Sequence, residues 1–372
     1  MPKVLVVDDS ALMRRLVSNV LSSAGYDVDT ARNGAEGIER VTDWQPDVVT
    51  LDVNMPEMDG ITALSLIMQA RPTPVIMLSS LTEQGARVTF EALALGAVDY
   101  IPKPGGTISL SVDDVADQLL HKVRAASRAK LRYRPVPNDG PLPAASARAS
   151  AHAPARASAH SPALAPARPA VAPQARVGKP EGLVLIGVST GGPRTLEDIL
   201  PALPASFPWP VLVAQHMPAN FTTAFARRMD SLCALRVREC SQPLPLEAGH
   251  IYIAQGGTDM VVSEYLGRLT VKPRAETPGH PWHPSVDVMV DSALQHMPAA
   301  QLIGVQLTGM GNDGARAMAA LKRGGGRTIA ESERSAVVFG MPQELIAADG
   351  ATLVLDSHAV ARQLLLWAPA KN

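Results

Sequence analysis

The apolar positions of this chain fall into short unbroken runs, each followed by a longer amphipathic stretch. In the first 130 residues the apolar runs predict strands at Lys3–Val7, Asp27–Ala31, Val48–Leu51, Val75–Leu78 and Tyr100–Ile101. The stretches between them predict helices at Ser10–Ser22, Ala35–Thr42, Gly60–Ala70, Glu83–Ala94 and Val112–Lys130. Strands that are apolar throughout, rather than alternating, are buried on both faces, as in a parallel sheet covered by helices. A second series follows in residues 183–366. Its predicted strands are Leu183–Val188, Val211–Ala214, Ile251–Ala254, Met260–Ser263, Leu302–Leu307 and Thr352–Leu355, with hairpin content around 250–271. Its predicted helices are Thr195–Leu200, Thr222–Ser231, Val286–Gln295 and Gly314–Lys322. Both series predict doubly wound α/β folds, whose ligands bind beyond the carboxyl ends of the strands.

Between the two series the composition changes. Residues 134–180 are mostly Ala, Pro, Ser and Arg, with one acid, Asp139, and no aromatic residue. Such a segment buries too little apolar surface to fold and reads as a disordered linker, reaching roughly 35–40 Å as a coil. The organisation is therefore a domain at 1–130, a flexible linker at 131–180 and a second domain at 181–372.

Bulk properties exclude several classes. A formal net charge of -1 gives no strong attraction to nucleic acid. Two cysteines, Cys233 and Cys240, are too few for a disulfide framework and fit a reducing cytoplasm. No signal-peptide pattern is evident, and no apolar run approaches the ~20 residues of a membrane span. A cytoplasmic protein without direct membrane insertion is expected.

The first domain gathers carboxylates. Asp8 and Asp9 follow the first strand and Asp52 ends the third, which places all three at one sheet edge. Three carboxylates repel unless a hard cation sits among them, and Mg²⁺ is the implied ion. Asp52 then suits attack on a phosphoryl donor, with Lys103 balancing charge on the transferring oxygens. Ser79 ends the fourth strand and suits hydrogen bonding to the added group; Tyr100 lies near the fifth. The alternative reading of Asp8 and Asp9 is as caps of the helix near Ser10.

The second domain carries Gly187-Val188-Ser189-Thr190-Gly191 directly after an apolar strand, a match to the G-x-S-x-G nucleophile elbow. His216 and Asp313 also lie just past apolar strands. Ser189 is expected to attack, His216 to shuttle the proton and Asp313 to orient the imidazole, with the backbone N–H near Met310 as oxyanion donor. The chain order Ser, His, Asp and the elbow after the first strand both differ from an α/β-hydrolase. No G-x-G-x-x-G or Gly-Lys-Ser/Thr supports a nucleotide site. His280 and His283 have a faint metal-like spacing but read as a substrate-side or surface loop. Asp287 and Asp291 read as surface groups or as groups just behind the site, and the cysteines as structural. Thr190 is assigned equally to substrate binding and to capping the next helix.

Val-Asp-Asp-Ser, Leu-Asp-Val-Asn-Met-Pro-Glu-Met-Asp-Gly and Ile-Pro-Lys-Pro resemble the receiver domains of two-component response regulators over about residues 1–125. Gly-Val-Ser-Thr-Gly-Gly, Ala-Gln-His-Met-Pro, His-Pro-Ser-Val-Asp, Leu-Thr-Gly-Met-Gly-Asn-Asp-Gly and Val-Val-Phe-Gly-Met-Pro resemble the chemotaxis protein-glutamate methylesterase/glutaminase family (CheB) over about 183–365. One departure is Ala-Glu at 330–331, where the family pattern has Ala-Gln. The resemblance implies a flavodoxin-like (βα)5 receiver ahead of a doubly wound methylesterase domain. It implies that Asp52 is the phosphoacceptor, that Asp9, Asp52 and the Asn54 carbonyl hold Mg²⁺ beside Asp8, and that a chemotaxis histidine kinase is the phosphodonor. It also implies demethylation and deamidation of methyl-accepting chemoreceptors by Ser189, with the receiver covering the catalytic edge until phosphorylation. A response regulator with a DNA-binding output predicts a small basic helix-turn-helix domain, which this sequence does not have. An adaptor that has lost activity is disfavoured by the intact Ser/His/Asp set.

Overall fold

The computed structural model describes residues 1–80, 82–103, 112–131 and 180–368. The linker expected at 131–180 falls almost wholly outside the described residues.

The first unit alternates β1 (Lys3–Val7), α1 (Ala11–Ser23), β2 (Asp27–Ala31), α2 (Gly34–Asp43), β3 (Val48–Asp52), α3 (Gly60–Ala70), β4 (Val75–Ser79), α4 (Glu83–Leu95), β5 (Asp99–Pro102) and α5 (Val112–Ala126). The strands form one parallel sheet in the order β2-β1-β3-β4-β5. β3 and β4 are buried along their whole length, as the unalternating sequence requires. Between β1 and β3 the winding reverses, which opens the crevice into which Asp8 and Asp52 project. Gly60 permits the close return of α3 onto β3: a Cβ there would stand 2.1 Å from the Asp52 carbonyl oxygen.

The second unit contains β6 (Leu183–Val188), α6 (Gly192–Ile199), β7 (Val211–Gln215), α7 (Ala219–Leu232), β8 (Arg236–Cys240), β9 (Leu244–Pro245), β10 (His250–Ala254), β11 (Asp259–Tyr265) and β12 (Arg268–Arg274). It continues with α8 (Val286–His296), β13 (Leu302–Gln306), α9 (Ala315–Arg323), β14 (Arg327–Glu331), α10 (Met341–Ala347), β15 (Leu353–Leu355) and α11 (Ser357–Trp367). Seven strands make a parallel sheet in the order β15-β14-β13-β6-β7-β10-β8. β11, β12 and β9 form a small antiparallel sheet.

Three expectations are corrected. The hairpin is β11–β12, whereas 250–254 belongs to the parallel sheet. β8 and β14 escape the apolar-run criterion: β8 is an edge strand with exposed arginines, and β14 buries Thr328 and Glu331. The fifth helix ends at Ala126 rather than Lys130.

One apolar cluster runs unbroken from Leu51 and Met77 through Phe90 to Phe221, Phe225 and Val213, joining the two units. Phe90 of α4 meets Phe225 at 5.5 Å between ring centroids and Phe221 at 6.4 Å edge-on. Phe90→Ala removes a buried ring from this seam, a change worth about 3 kcal/mol or more. Calorimetry is expected to show the single wild-type transition splitting into two as the units unfold separately.

Candidate functional sites and the seam between them

The first site is built at the β1/β3 crevice. Asp8 and Asp52 are buried and Asp9 is exposed, and one carboxylate oxygen of each lies within 4.8 Å of the others. Lys103 Nζ stands 2.8 Å from both Asp8 Oδ2 and Asp52 Oδ2. Burial pushes the Asp52 carboxyl above its usual range, with Asp8 adding to the effect, and Lys103 offsets this only in part. Burial opposes the Lys103 charge as well, but the two carboxylates hold its pKa above the usual value. Three acids facing one ammonium leave excess negative charge on hard oxygen donors, a set that fits Mg²⁺. The Asn54 amide donates to Asp52 Oδ1 at 3.3 Å. The capping reading of Asp8 and Asp9 is overturned. Ser10 caps α1, accepting from the Met13 amide, while Asp8 Oδ1 accepts from the Ser10 amide.

Ser79, at the end of β4, is tied to α4: its hydroxyl donates to the Gly85 carbonyl at 3.2 Å and accepts from Thr89 Oγ1 at 2.8 Å. Tyr100 is fully buried against the second unit, its ring stacked 4.3 Å from Phe221 of α7. Its hydroxyl has no hydrogen-bond partner among the described residues.

The second site lies at the carboxyl edge of the seven-stranded sheet. Ser189 follows β6, His216 follows β7, and the glycine-rich turn after β13 brings in Asp313. The Ser189 amide donates to Thr308 O at 2.9 Å and the His216 amide to Val188 O at 3.0 Å. These bonds lock the three loops together. His216 Nε2 meets Asp313 Oδ2 at 2.8 Å. Asp313 also accepts from Ser285 Oγ (2.9 Å) and from the Val286 (2.7 Å) and Asp287 (3.0 Å) amides at the start of α8. A helix N-terminus with free amides stabilises an anion. Burial alone would raise the Asp313 pKa, but the hydrogen bonds from His216, Asp287 and Val286 win and hold it below the usual range. With its oxygens filled this way, the grouping of Asp313 with His280 and Asp287 is a hydrogen-bond network.

With Asp313 ionised and accepting, the Nε2–H tautomer of the imidazole is the one that fits this contact, and it leaves the Nδ1 lone pair unused. Nδ1 is buried and has no partner among the described residues, and no hydrogen bond joins it to Ser189 in this arrangement. Trp282 stacks on the imidazole, coplanar within 1° at 5.6 Å. Gly309 lies against the nucleophile: a Cβ there would stand 2.7 Å from Ser189 Cβ. Its carbonyl accepts from the Gly340 and Met341 amides, whereas the next amide, Met310 N–H, has no acceptor among the described residues.

Several participants escaped the sequence reading. Trp282 and Ser285 sit in the proline-rich loop read as substrate-side or surface, and its substrate-side alternative agrees with their place; Ser285, directly before an apolar periodic run, also carries a helix-start signal. Buried Asp259 accepts from His283 Nδ1 (3.0 Å) and the Ser285 amide (3.0 Å), which fixes that loop. Asp287 is buried and accepts from the Ala317 amide, so the surface reading of it fails; Asp291 pairs with Arg316. Buried Glu331, the departure from the family pattern, accepts from the Thr308 amide and Ser335 Oγ and so braces the Asp313 turn. Burial pushes the Cys240 thiol up to about 12, which leaves it inert.

Thr190 does not cap the next helix. Gly191 begins α6 without a side-chain cap, and Thr190 Oγ1 donates to Asp99 Oδ2 of the first unit at 2.8 Å. Asp99 Oδ1 accepts from Lys122 Nζ at 2.8 Å, and Lys122 sits 4.9 Å over the Tyr100 ring. The residue beside the nucleophile is thus held by the first unit, and Ser189 itself is only 9% exposed.

Asp313→Asn keeps the volume but admits the wrong imidazole tautomer, and esterase turnover is expected to fall about 10⁴-fold. The depressed folded pKa of Asp313 means its stabilisation is complete above the ordinary value of 3.8 and is lost as pH falls through the lower folded value. Acid-unfolding curves of Asp313→Asn are expected to lack this contribution.

Residues 184–364 match the model of the CheB methylesterase family, and residues 4–111 match that of the response regulator receiver domain. The chain is 52% identical to protein-glutamate methylesterase/protein-glutamine glutaminase 3 of Rhodospirillum rubrum, over 99% of this chain and 96% of that one. It is 48% identical to protein-glutamate methylesterase/protein-glutamine glutaminase 2 of Rhodopseudomonas palustris, over 100% and 99%. The crystal structure of the Thermotoga maritima CheB methylesterase catalytic domain is 37% identical, covers 50% of this chain and 97% of that one, and superposes with a TM-score of 0.48. No described helix is long and apolar enough to cross a membrane. The chain belongs to the CheB family of protein-glutamate methylesterase/protein-glutamine glutaminases, with a receiver domain ahead of the methylesterase domain.

Proposed function

We propose that this chain is a phosphorylation-activated serine hydrolase that demethylates glutamyl methyl esters and deamidates glutamines on chemoreceptors. The observation that carries this reading is the gathering of Ser189 and the His216–Asp313 pair at one sheet edge, beside a residue that the receiver holds. Ser189 Oγ attacks the ester carbonyl carbon and its proton passes to His216 Nδ1, a contact that tightens only with substrate in place. The Met310 N–H faces the resulting oxyanion. Collapse expels methanol, or ammonia from an amide, with the proton that His216 returns. Water then attacks the acyl-enzyme, His216 takes its proton, and Ser189 leaves as the hydroxyl with glutamate as product.

In the receiver, Asp8, Asp9, Asp52 and the Asn54 carbonyl would hold Mg²⁺, which when bound neutralises the excess charge and the transferring phosphoryl oxygens. Asp52 is the acceptor, a histidine kinase the donor, and Lys103 pairs with the new phosphoryl group. Ser79 reaches that group only by leaving Gly85 and Thr89, which disturbs α4 and its Phe90. Tyr100 sits on Phe221 in the same seam, so the modification reaches the docking surface through both. A shift of a few kcal/mol between docked and open states gives a large change in activity.

Methanol release from methylated receptor membranes is the test. Ser189→Ala is expected to lose about 10⁶-fold in turnover. Stimulation by Mg²⁺ and a small phosphodonor should vanish in Asp52→Ala; stimulation that survives there would sink the switch. Asp99→Ala, which frees Thr190, is expected to raise release without phosphodonor. In Mg²⁺ titrations followed by calorimetry, affinity should rise with pH through the raised Asp52 pKa, since only the carboxylate is a ligand.

A further inference from the structure

The β11–β12 hairpin has one face that is buried at the active-site end, at Asp259 and Val261, and exposed along most of β12 and at the turn. Cross-strand register places Tyr265 opposite Arg268, Ser263 opposite Thr270, Val261 opposite Lys272 and Asp259 opposite Arg274 on that face. The other face buries Met260, Val262, Leu269 and Val271. Arg268, Lys272 and Arg274 are exposed at every second position of β12 apart from Thr270, and none forms an ion pair among the described residues. Arg274 donates to Thr277 Oγ1 at 2.8 Å, at the active-site end. There Asp259 binds Ser285, which in turn binds Asp313. The basic row thus runs outward from the catalytic network for roughly 20 Å, the length of a seven-residue strand. At its far end the turn exposes Tyr265 (69%) and Leu266 (84%). Leu266 and Gly267 have φ of 49° and 72°. Such two-residue turns favour Asn, Asp or Gly at both positions. A leucine there holds an apolar side chain out to solvent at a position whose backbone favours Asn, Asp or Gly.

We infer that the exposed part of this hairpin face is the docking surface for an acidic segment of the substrate receptor, with Tyr265 and Leu266 as its apolar anchor. This rests on the proposed esterase function. The chemistry selects the partner: each turnover leaves a glutamate carboxylate, so a segment carrying several such sites grows more anionic beside the active site. Tyr265, Leu266, Arg268, Lys272 and Arg274 are exposed while the receiver is docked, so receptor capture does not require phosphorylation, whereas cleavage does.

The test uses the full chain and methylated receptor in membranes. Arg268→Glu/Lys272→Glu should raise KM about tenfold or more while kcat at saturating receptor is kept, and should flatten the dependence of KM on salt. Leu266→Asn suits the turn backbone, so folding is not at risk, and it should also raise KM. Unchanged KM in both variants, with wild type active, overturns the docking surface and leaves the esterase standing. Wild type that binds receptor-free anionic vesicles through the same residues also overturns it, in favour of a lipid surface. Wild type that releases no methanol removes the esterase reading and this proposal with it.

Discussion

A parallel sheet delivers the last residue of every strand to the same edge, and that constraint shapes this molecule twice. In the receiver it brings Asp8, Asp52, Ser79 and Lys103 into one crevice from four strand ends. In the methylesterase domain it brings Ser189, His216 and the Asp313 turn together from three. No long-range design of loops is needed: once the strands are buried and parallel, any polar residue one step beyond them is at the edge. The winding reversals at β1/β3 and β6/β13 decide which strand ends leave a crevice wide enough for a ligand.

The two sites treat buried charge in opposite ways. Asp313 is surrounded by donors fixed by α8, so it stays ionised and holds the His216 tautomer with little freedom to do anything else. Asp52 is undersupplied: one ammonium is shared with Asp8, burial raises its pKa, and a cation or a phosphoryl group finds an incomplete environment there. A satisfied carboxylate orients and an unsatisfied one reacts. The difference follows from whether a helix N-terminus or only a lysine stands opposite.

The fold was legible wherever burial on both faces forced unbroken apolar runs, as in β1, β3, β4, β6 and β7. It was illegible where polar residues were buried with partners far along the chain. Nothing near Thr328 and Glu331 in sequence announces the bonds that the Thr352 and Thr308 amides donate to their side chains and that make β14 possible. The strand-end residues Ser189, His216, Asp52 and Lys103 could be placed because position alone locates them. Thr190 and Asp99 could not, since they are 91 residues apart and meet only because the two units dock. Trp282 was masked by its prolines, although its role is to hold a ring in place rather than to react.

In the proposed switch, docking holds Thr190 beside Ser189 until one modification undoes it. The seam combines the Phe90 and Tyr100 ring contacts, one buried hydrogen bond to Thr190 and the exposed Lys130–Glu333 pair. The exposed pair contributes about 1 kcal/mol at most, and less as salt rises. The seam is also unfilled in part: a cavity of about 270 Å³ opens between Met68 and Leu93 on one side and Pro193 and Thr195 on the other. Space wide enough for water leaves these surfaces without direct packing contacts across that part of the seam. The aromatic contacts are therefore the part of the seam that matters, and they sit on α4 and β5, the elements that bear Ser79's partners and follow Asp52's neighbours in the sheet. In the proposed switch, movement of Ser79 toward a phosphorylated Asp52 would act through α4 on the Phe90 contacts, so a local change in the receiver site has a direct route to the interface.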